Sequence, residues 1–240
     1  LKSQQISRTK YVNHLFTEPS DEADELCQRI WNGQSSQSEE ITEAFGIKLT
    51  RRDLSTLSDR NWLNDQVIDF YLQLICQRSE ATENLPKVYA FNTFFYLNIS
   101  TKGYDSVRRW TRKVDIFEYD LLLVPIHLEA HWCLAIVDLA MKRIDYYDSL
   151  LGRNKKCLDC LKNYLTEEYE DKKKETFGFK GWKFSLRRDI PRQTNGSDCG
   201  VFVCKFAEFA SRRAPMAFTQ QHMPNYRRVM VYELVEKKLL

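Results

Sequence analysis

The sequence is poor in the residues and patterns that mark several large classes of protein. Its 240 residues include only eight glycines and six prolines, which excludes a collagen-like chain and argues against a disordered one. The longest apolar run, residues 121–126, is the length of a strand and far short of the roughly 18 residues that a membrane span needs. We therefore expect a soluble globular protein with one large domain or two small ones.

A large excess of charge of one sign is also missing. The 36 basic and 33 acidic residues leave a net charge of +3, which supports neither a nucleic acid nor an anionic membrane as a partner. Short basic groups such as Arg51-Arg52, Lys172 to Lys174, Arg212-Arg213 and Arg227-Arg228 are interleaved with acids, and we expect them on solvated faces.

Disulfide-type spacing is absent although the chain has seven cysteines. The number is odd, the spacing is not dense, and no apolar signal-like segment follows Leu1. This pattern predicts a reducing compartment and free thiols, one of which is available for chemistry.

The order of elements predicts an α+β fold, because strands and helices do not alternate regularly. A polar segment over residues 1–20 precedes one domain over residues 21–240. The predicted helices cover residues 21–31, 39–45, 64–78, 91–104, 106–110, 156–169, 199–210 and 226–239, with Asp53 as the cap of a further short helix. The predicted strands cover residues 120–128, 131–139, 143–147 and 180–187.

Cys199 lies where a polar, turn-rich loop meets an apolar helix. The free N–H groups and positive dipole of a helix start favour a thiolate, which would make this residue a nucleophile. Gly196 and Gly200 would allow tight backbone geometry and open access to the sulfur. The alternative is an ordinary buried cysteine at a helix start.

A thiolate nucleophile needs a base and a group that orients the base. His131 begins a predicted strand and is the better candidate, with His127 as the rival; His14 and His222 lie in polar segments. Asp148 ends the next strand and would meet His131 if the two strands pair as an antiparallel hairpin, about 4.8 Å apart. A turn-capping role is the alternative for Asp148.

Gln193 is the candidate donor to a developing oxyanion, together with the backbone N–H of Cys199. Taken alone, a glutamine at such a place is commonly an ordinary loop residue. The Cys157/Cys160 pair has C-x-x-C spacing but no second pair of metal ligands follows, so we interpret it as structural and expect no metal site. Cys133 is expected in the core, on the strand face opposite His131.

These residues together resemble the Ulp/SENP family of SUMO-specific cysteine proteases. The resemblance rests on His131-Trp132, on Tyr147-Asp148-Ser149 and on Gln193 followed by Gly196-Ser197-Asp198-Cys199-Gly200. It extends over residues 62–65, 90–95, 107–111, 123–127 and 218–224, and covers roughly residues 20–240.

The resemblance implies a papain-like α+β fold with a central mixed sheet flanked by helices. Cys199 would be the nucleophile, His131 the general acid and base, Asp148 its orienting carboxylate and Gln193 the oxyanion donor. Trp62 and Trp132 would roof a narrow tunnel for the C-terminal Gly-Gly of the modifier. The implied contacts with the modifier surface are Asp65, Phe94 and His127.

The implied function is cleavage after that Gly-Gly, which removes SUMO from lysine side chains and processes SUMO precursors. No cofactor is implied, the partner is SUMO rather than a nucleic acid or membrane, and the protein is expected to be a monomer in the nucleus, at the nuclear envelope or pore. The alternatives are a protease for another modifier such as NEDD8, an acetyltransferase with the same triad, and a non-catalytic binder. The presence of both tryptophans and of a complete triad favours the SUMO protease.

Overall fold

The computed structural model describes residues 18–240, so most of the predicted polar segment over residues 1–20, and His14 with it, lies outside the described part. The α-helices are α1 (Asp21–Trp31), α2 (Arg51–Ser55), α3 (Asp65–Ala81), α4 (Phe95–Lys102), α5 (Lys155–Lys173), α6 (Cys199–Ser211) and α7 (Met223–Glu236). The strands are β1 (Glu40–Ala44), β2 (Ile47–Thr50), β3 (Val88–Ala90), β4 (Leu121–Leu128), β5 (His131–Asp138), β6 (Arg143–Tyr147) and β7 (Lys183–Leu186). Short 3₁₀ helices cover Tyr104–Ser106, Ile116–Glu118 and Gln220–His222.

A five-stranded sheet in the order β3-β4-β5-β6-β7 forms the centre of the molecule. The three inner strands β4, β5 and β6 are antiparallel neighbours, whereas β3 and β7 pair in parallel with the inner strands next to them. The predicted α+β fold is confirmed, and so is the central mixed sheet flanked by helices that the family resemblance implied. The apolar runs predicted the three inner strands because hairpin-connected apolar strands are a local pattern.

Each face of the sheet has its own hydrophobic core. Leu134 and Ile136 of β5 pack with α3, α6 and α7 in one core, while the alternate residues Cys133, Ala135 and Val137 pack with α4 and α5 in the other. This alternation follows from the two-residue period of a strand. Helix α6, which begins with Cys199, therefore lies against one face of the sheet.

The predicted helix over residues 39–45 is wrong. The segment forms β1, which pairs with β2 in an antiparallel hairpin. Phe45 and Gly46 both have positive φ, 57° and 72°, as the tight turn between two such strands requires. A segment this short cannot distinguish helical from strand periodicity, so the Phe-Gly turn was the more informative signal.

Three smaller differences concern helix limits. Thr50, not Asp53, is the N-cap of α2; Asp53 completes the capping box from inside the helix. The helix predicted over residues 91–104 shortens to α4, and the one predicted over residues 106–110 is wrong, because Ser106 ends a 3₁₀ helix and residues 107–110 form turns. Strand β3 has only three residues, too few to show a period.

In the described part of the chain, none of the helices combines the length and apolar character that a membrane span requires.

Candidate active site

Cys199 is the first residue of α6, as the sequence predicted, and its side chain is buried. The preceding Asp198 occupies the N-cap position, yet its carboxylate makes no capping hydrogen bond to the first turn. The N–H groups at the helix start are therefore not occupied by the residue that usually takes them. They remain available, together with the helix dipole, to stabilise negative charge near the sulfur.

His131 and Asp148 are brought together by strand pairing. β5 and β6 are antiparallel, with Leu134 opposite Tyr147, so the residue after β6 meets the beginning of β5. The Nε2 atom of His131 lies 2.7 Å from Oδ1 of Asp148. The contact predicted from the hairpin is confirmed.

Asp148 is held as an anion by several donors. The backbone N–H groups of Leu150 and Gly152 donate to its two oxygens at 2.8 and 3.0 Å. Burial alone raises the pKa of Asp148, but the hydrogen bonds from His131 and the two N–H groups outweigh burial and bring the pKa below its ordinary value. The alternative turn-capping role is thus also present, and it serves to fix the carboxylate.

His131 is held in its protonated form by the same contact. The hydrogen bond to Asp148, followed by hydrogen bonds with the thiols of Cys133 and Cys199, raises the pKa of His131 well above 6.5. Because Asp148 engages Nε2, the other ring nitrogen is the one available to Cys199. An imidazolium beside a thiol at a helix start is the arrangement that stabilises a thiolate.

The placement predicted for Cys133 is wrong. It lies on the same strand face as His131, not the opposite face, and its thiol contacts the imidazole. The reason is elementary: side chains two positions apart in a strand point the same way. The second part of the prediction, that Cys133 is buried in the core, is confirmed.

Gln193 is buried and its side-chain amide is oriented by two neighbours. The hydroxyl of Ser149 donates to Oε1 at 2.8 Å, and Nε2 donates to the backbone oxygen of Asn195 at 2.6 Å. Nε2 also lies 3.4 Å from Oδ1 of Asn195, so both contacts of this nitrogen are with one residue of the loop before Cys199. Sequence reasoning missed the role of Ser149, although it follows Asp148 directly.

A buried ion pair holds the loop before Cys199. Both Nε and a terminal nitrogen of Arg227 contact Oδ1 of Asp198, at 2.9 and 2.6 Å. The amides of Asn195 and Gln220 donate to Oδ2. Arg227 also donates to the backbone oxygens of Thr56, Ser58, Asn61 and Ser197.

The solvated face predicted for the basic pairs is therefore wrong for two members. Arg227 is only 2% exposed. Arg51 is also buried, where it pairs with Glu39 and donates to the backbone oxygens of Arg29 and Ile30. Neighbouring acids in sequence are not the partners of these two guanidinium groups, so the local pattern was misleading.

The two tryptophans differ in exposure. Trp62 is 52% exposed and Trp132 only 7%. The indole N–H of Trp132 donates to the backbone oxygen of Leu63 at 3.0 Å, which ties it to the residue next to Trp62. Leu63 also explains one glycine, because a Cβ at Gly200 would lie 2.7 Å from the Cβ of Leu63.

The expectation that Gly196 provides tight backbone geometry is not supported. A Cβ at Gly196 would meet open space, and Gly196 is not among the residues with positive φ.

The remaining predicted contact residues are exposed or half-buried. The exposed ring of His127 stacks on Trp132 with centroids 4.3 Å apart, so the rival base has a different position. Phe94, at the start of α4, is 51% exposed, and Asp65 is half-buried in the first turn of α3. His222 contacts the backbone N–H of Thr219.

All seven cysteines are free thiols, as predicted. Burial raises the pKa of Cys27, Cys76, Cys133, Cys157, Cys160 and Cys204. The Cys157/Cys160 pair lies on α5, and the groups of metal-type donors among the described residues do not include it.

Comparison with known proteins places these features in a family. The profile of the Ulp1 protease family, C-terminal catalytic domain, matches residues 61–239. The chain is 56% identical over 231 residues to a sentrin-specific protease of Caenorhabditis elegans, covering 96% of this chain and 33% of that protein. It is 39% identical over 235 residues to human sentrin-specific protease 2, covering 97% of this chain and 39% of that protein. The chain thus spans about a third to two fifths of the length of these relatives.

Solved structures agree with the sequence comparison. The C-terminal Ulp1 protease domain in complex with Smt3, the yeast ortholog of SUMO, superposes with a TM-score of 0.80 at 32% identity, covering 92% of this chain and 96% of that one. The catalytic domain of a Ulp1-like SUMO protease from Chaetomium thermophilum has a TM-score of 0.80 at 26% identity, covering 93% and 92%.

Proposed function

The chain belongs to the Ulp1 protease family, and on that basis we propose that it is a cysteine protease that cleaves after the C-terminal Gly-Gly of SUMO. Both removal of SUMO from lysine side chains and processing of SUMO precursors use the same site. One observation carries the proposal: the imidazole of His131 contacts the carboxylate of Asp148 and the thiol of Cys199 at a helix start. The relatives' names and the Ulp1 complex with Smt3 support SUMO as the substrate.

Four residues divide the chemistry in this proposal. Cys199 is the nucleophile, His131 the general base and acid, and Asp148 the carboxylate that keeps the imidazole oriented and charged. Gln193 donates to the oxyanion with the backbone N–H of Cys199. Two observations support this last role: the amide of Gln193 is already oriented by Ser149, and no side chain caps the helix start.

The reaction proceeds in two halves. The Cys199 thiolate attacks the carbonyl carbon of the terminal glycine, and the C–S bond forms as charge moves to the carbonyl oxygen. The imidazolium of His131 donates its proton to the leaving amine as the C–N bond breaks, which leaves a thioester. Water then attacks the thioester, His131 takes its proton, and the C–S bond breaks to release the glycine carboxylate.

Specificity is proposed to come from a slot between Trp62 and Trp132. A backbone with glycine on the acyl side of the scissile bond fits between flat indoles, whereas a peptide with side chains there is excluded. The hydrogen bond from Trp132 to Leu63 supports this arrangement, because it links the two tryptophan positions. Asp65, Phe94 and His127 are proposed to contact the folded body of the modifier.

A panel of modifiers tests the function. SUMO, NEDD8 and ubiquitin, each with a fluorophore on the C-terminal carboxylate, are compared by kcat/KM. We expect SUMO to be cleaved much faster than the other two, and the Cys199→Ser variant to lose turnover while it still binds SUMO. The matched control is Cys160→Ser, whose partly exposed thiol lies on α5 and is not one of the proposed site residues; this variant should retain turnover.

Equal or reversed rates among the three modifiers would overturn the substrate, and turnover by Cys199→Ser would overturn the nucleophile. We also propose that residues 21–240 act as one catalytic domain and as a monomer. Light scattering on the purified chain can test the oligomeric state. Location in the nucleus remains a prediction from the family resemblance.

A further inference from the structure

Three side chains of types that bind metal ions converge around His131, the general base of the proposed site. A ring nitrogen of His131, the sulfur of Cys133 and a carboxylate oxygen of Asp148 all lie within 4.8 Å of one another. Sequence reasoning expected no metal ligands, and it missed this group because it placed Cys133 on the wrong strand face.

The donor types fit a particular class of cation. Nitrogen, thiolate and carboxylate ligands at about 2.0–2.3 Å from the ion are the set that Zn²⁺ takes, and such ligands lie roughly 3–4 Å from one another around a tetrahedral centre. Nε2 of His131 and Oδ1 of Asp148 lie 2.7 Å apart across a shared proton, so they separate slightly when a cation replaces that proton. Hard cations such as Mg²⁺ and Ca²⁺ prefer oxygen ligands only. A mixed N, S, O group therefore selects zinc and its borderline or soft neighbours.

The surroundings hold this group in place. Asp148 accepts from the backbone N–H groups of Leu150 and Gly152, which fixes the orientation of the carboxylate. His131 and Cys133 share one face of β5, so their spacing is set by the strand. The His131 side chain is 19% exposed, which gives an ion access from solvent. Outer partners that orient ligands in this way strengthen metal binding.

We propose that Zn²⁺, or a divalent cation of the same chemistry, binds His131, Cys133 and Asp148 and inhibits the protease reversibly. The inhibitory part of this inference rests on the proposed function, whereas the binding part does not. Binding forms bonds from the metal to sulfur, nitrogen and oxygen. It releases to solvent the proton of the Cys133 thiol and the proton shared by His131 and Asp148.

Inhibition follows because the metal-bound imidazole can act neither as the general base nor as the general acid. A ring that carries a metal on the nitrogen facing Asp148 is a weaker base at its other nitrogen, so it no longer takes a proton from water. It also no longer forms the imidazolium that donates to the leaving amine. Cys199 is not a ligand in this proposal, which separates it from direct capture of the nucleophile by a metal.

Cobalt spectroscopy tests the site without any need for activity. Co²⁺ is added to the Cys199→Ala variant, in which the thiol of the nucleophile is absent, and the sulfur-to-cobalt charge-transfer band is followed in the near ultraviolet. We expect a band that Zn²⁺ abolishes, that Cys133→Ala in the same background removes, and that the matched control Cys160→Ser leaves unchanged. Absence of the band in Cys199→Ala, or its persistence without Cys133, would overturn the site.

Kinetics then test the inhibition. Zn²⁺ inhibition constants are measured for wild type and Cys133→Ala, each relative to its own metal-free rate, with a chelator added to show reversal. Because Cys133 is a direct ligand, its loss should weaken inhibition by at least the ~10–100-fold that loss of an outer partner costs. Equal inhibition of both proteins would show that zinc acts through Cys199 and would overturn the proposal.

If Cys133→Ala fails to fold, as thermal unfolding would reveal, Asp148→Asn in the Cys199→Ala background gives the second test by weaker Co²⁺ binding, and unchanged binding would overturn the site. A chain that binds Co²⁺ as expected but cleaves none of the modifiers would contradict the proposed function alone.

Discussion

The two halves of the proposed site are held by different kinds of interaction. On the nucleophile side, the loop before Cys199 depends on the buried ion pair between Asp198 and Arg227, residues far apart in the chain. On the base side, His131 and Asp148 meet through the pairing of two consecutive strands, where the Asp148 side chain is buried at 6% exposure and the His131 side chain is 19% exposed.

This difference predicts different consequences of substitution. An uncompensated charge in a buried ion pair costs stability, because the remaining partner has lost both water and its counter-charge. Loss of the contact between His131 and Asp148 leaves no fully buried guanidinium without its counter-charge, so it costs less stability, yet it removes an interaction that the reaction needs. Substitutions on the nucleophile side should therefore mainly lower the stability of the fold, and substitutions on the base side should mainly lower the reaction rate.

The largest effect is expected at Asp148. Asp148→Asn should lower kcat/KM by about 10⁴-fold, equivalent to about 5.5 kcal/mol, because the neutral amide neither holds the required tautomer nor stabilises the imidazolium. The melting temperature should fall less than in Arg227→Met. The control is Asp159→Asn, an exposed position on α5. A rate within tenfold of wild type would remove Asp148 from the proposed mechanism.

The next effect concerns stability on the nucleophile side. Arg227→Met should lower the free energy of unfolding by about 3–5 kcal/mol, since Asp198 is left buried without its partner. Adding Asp198→Asn to this variant should restore part of the loss. Urea unfolding measures both, with the more exposed neighbour Arg228→Met as control. A loss below 1 kcal/mol for Arg227→Met would erase the contrast between the two halves.

A smaller effect is expected at Ser149, which we interpret as a positioning residue. Ser149→Ala removes the donor to Oε1 of Gln193, so the amide loses its fixed orientation, and kcat should fall about tenfold, equivalent to about 1.4 kcal/mol, with KM unchanged. In a Gln193→Ala background the same substitution should have no further effect on kcat. Additive losses in the double variant would show that Ser149 does not act through Gln193.

The smallest expected effect is on the pH dependence of stability. The pKa of His131 is raised in the folded protein. Its contribution to the stability of the fold is therefore fully present below pH 6.5 and is lost progressively as the pH rises toward the pKa of the folded state. The difference in unfolding free energy between wild type and His131→Gln should therefore narrow from pH 7 to pH 9. In the Asp148→Asn background the difference should stay nearly constant. If the difference in unfolding free energy widened with pH, the assigned direction of the His131 pKa shift would be wrong.

Much of the base side was predictable from the sequence. Leu134 and Tyr147 belong to apolar runs separated by a short turn, and such runs form antiparallel hairpins whose ends meet. From that pairing alone, Asp148 had to lie beside the start of the preceding strand, β5. The error at Cys133 was not a failure of the pattern, because the two-residue period placed it beside His131 all along.

The nucleophile side was predictable only in part. The change from polar loop to apolar run located Cys199 at a helix start. Nothing near Asp198 in the sequence indicated that its partner is Arg227, and nothing near Arg227 distinguished it from the partly exposed Arg228 beside it. Long-range partners of buried charges are chosen by how helices pack, which a local pattern does not encode.

The sequence by itself determined the mixed α+β architecture, the strand pairing that joins His131 to Asp148, and the position of Cys199, since each depends on residues close in the chain. Only the tertiary structure decided which guanidinium groups are buried, which hydroxyl orients Gln193, and which thiol stands beside the imidazole in space. These depend on contacts across packed elements, where geometry and desolvation select one partner among many of the same residue type.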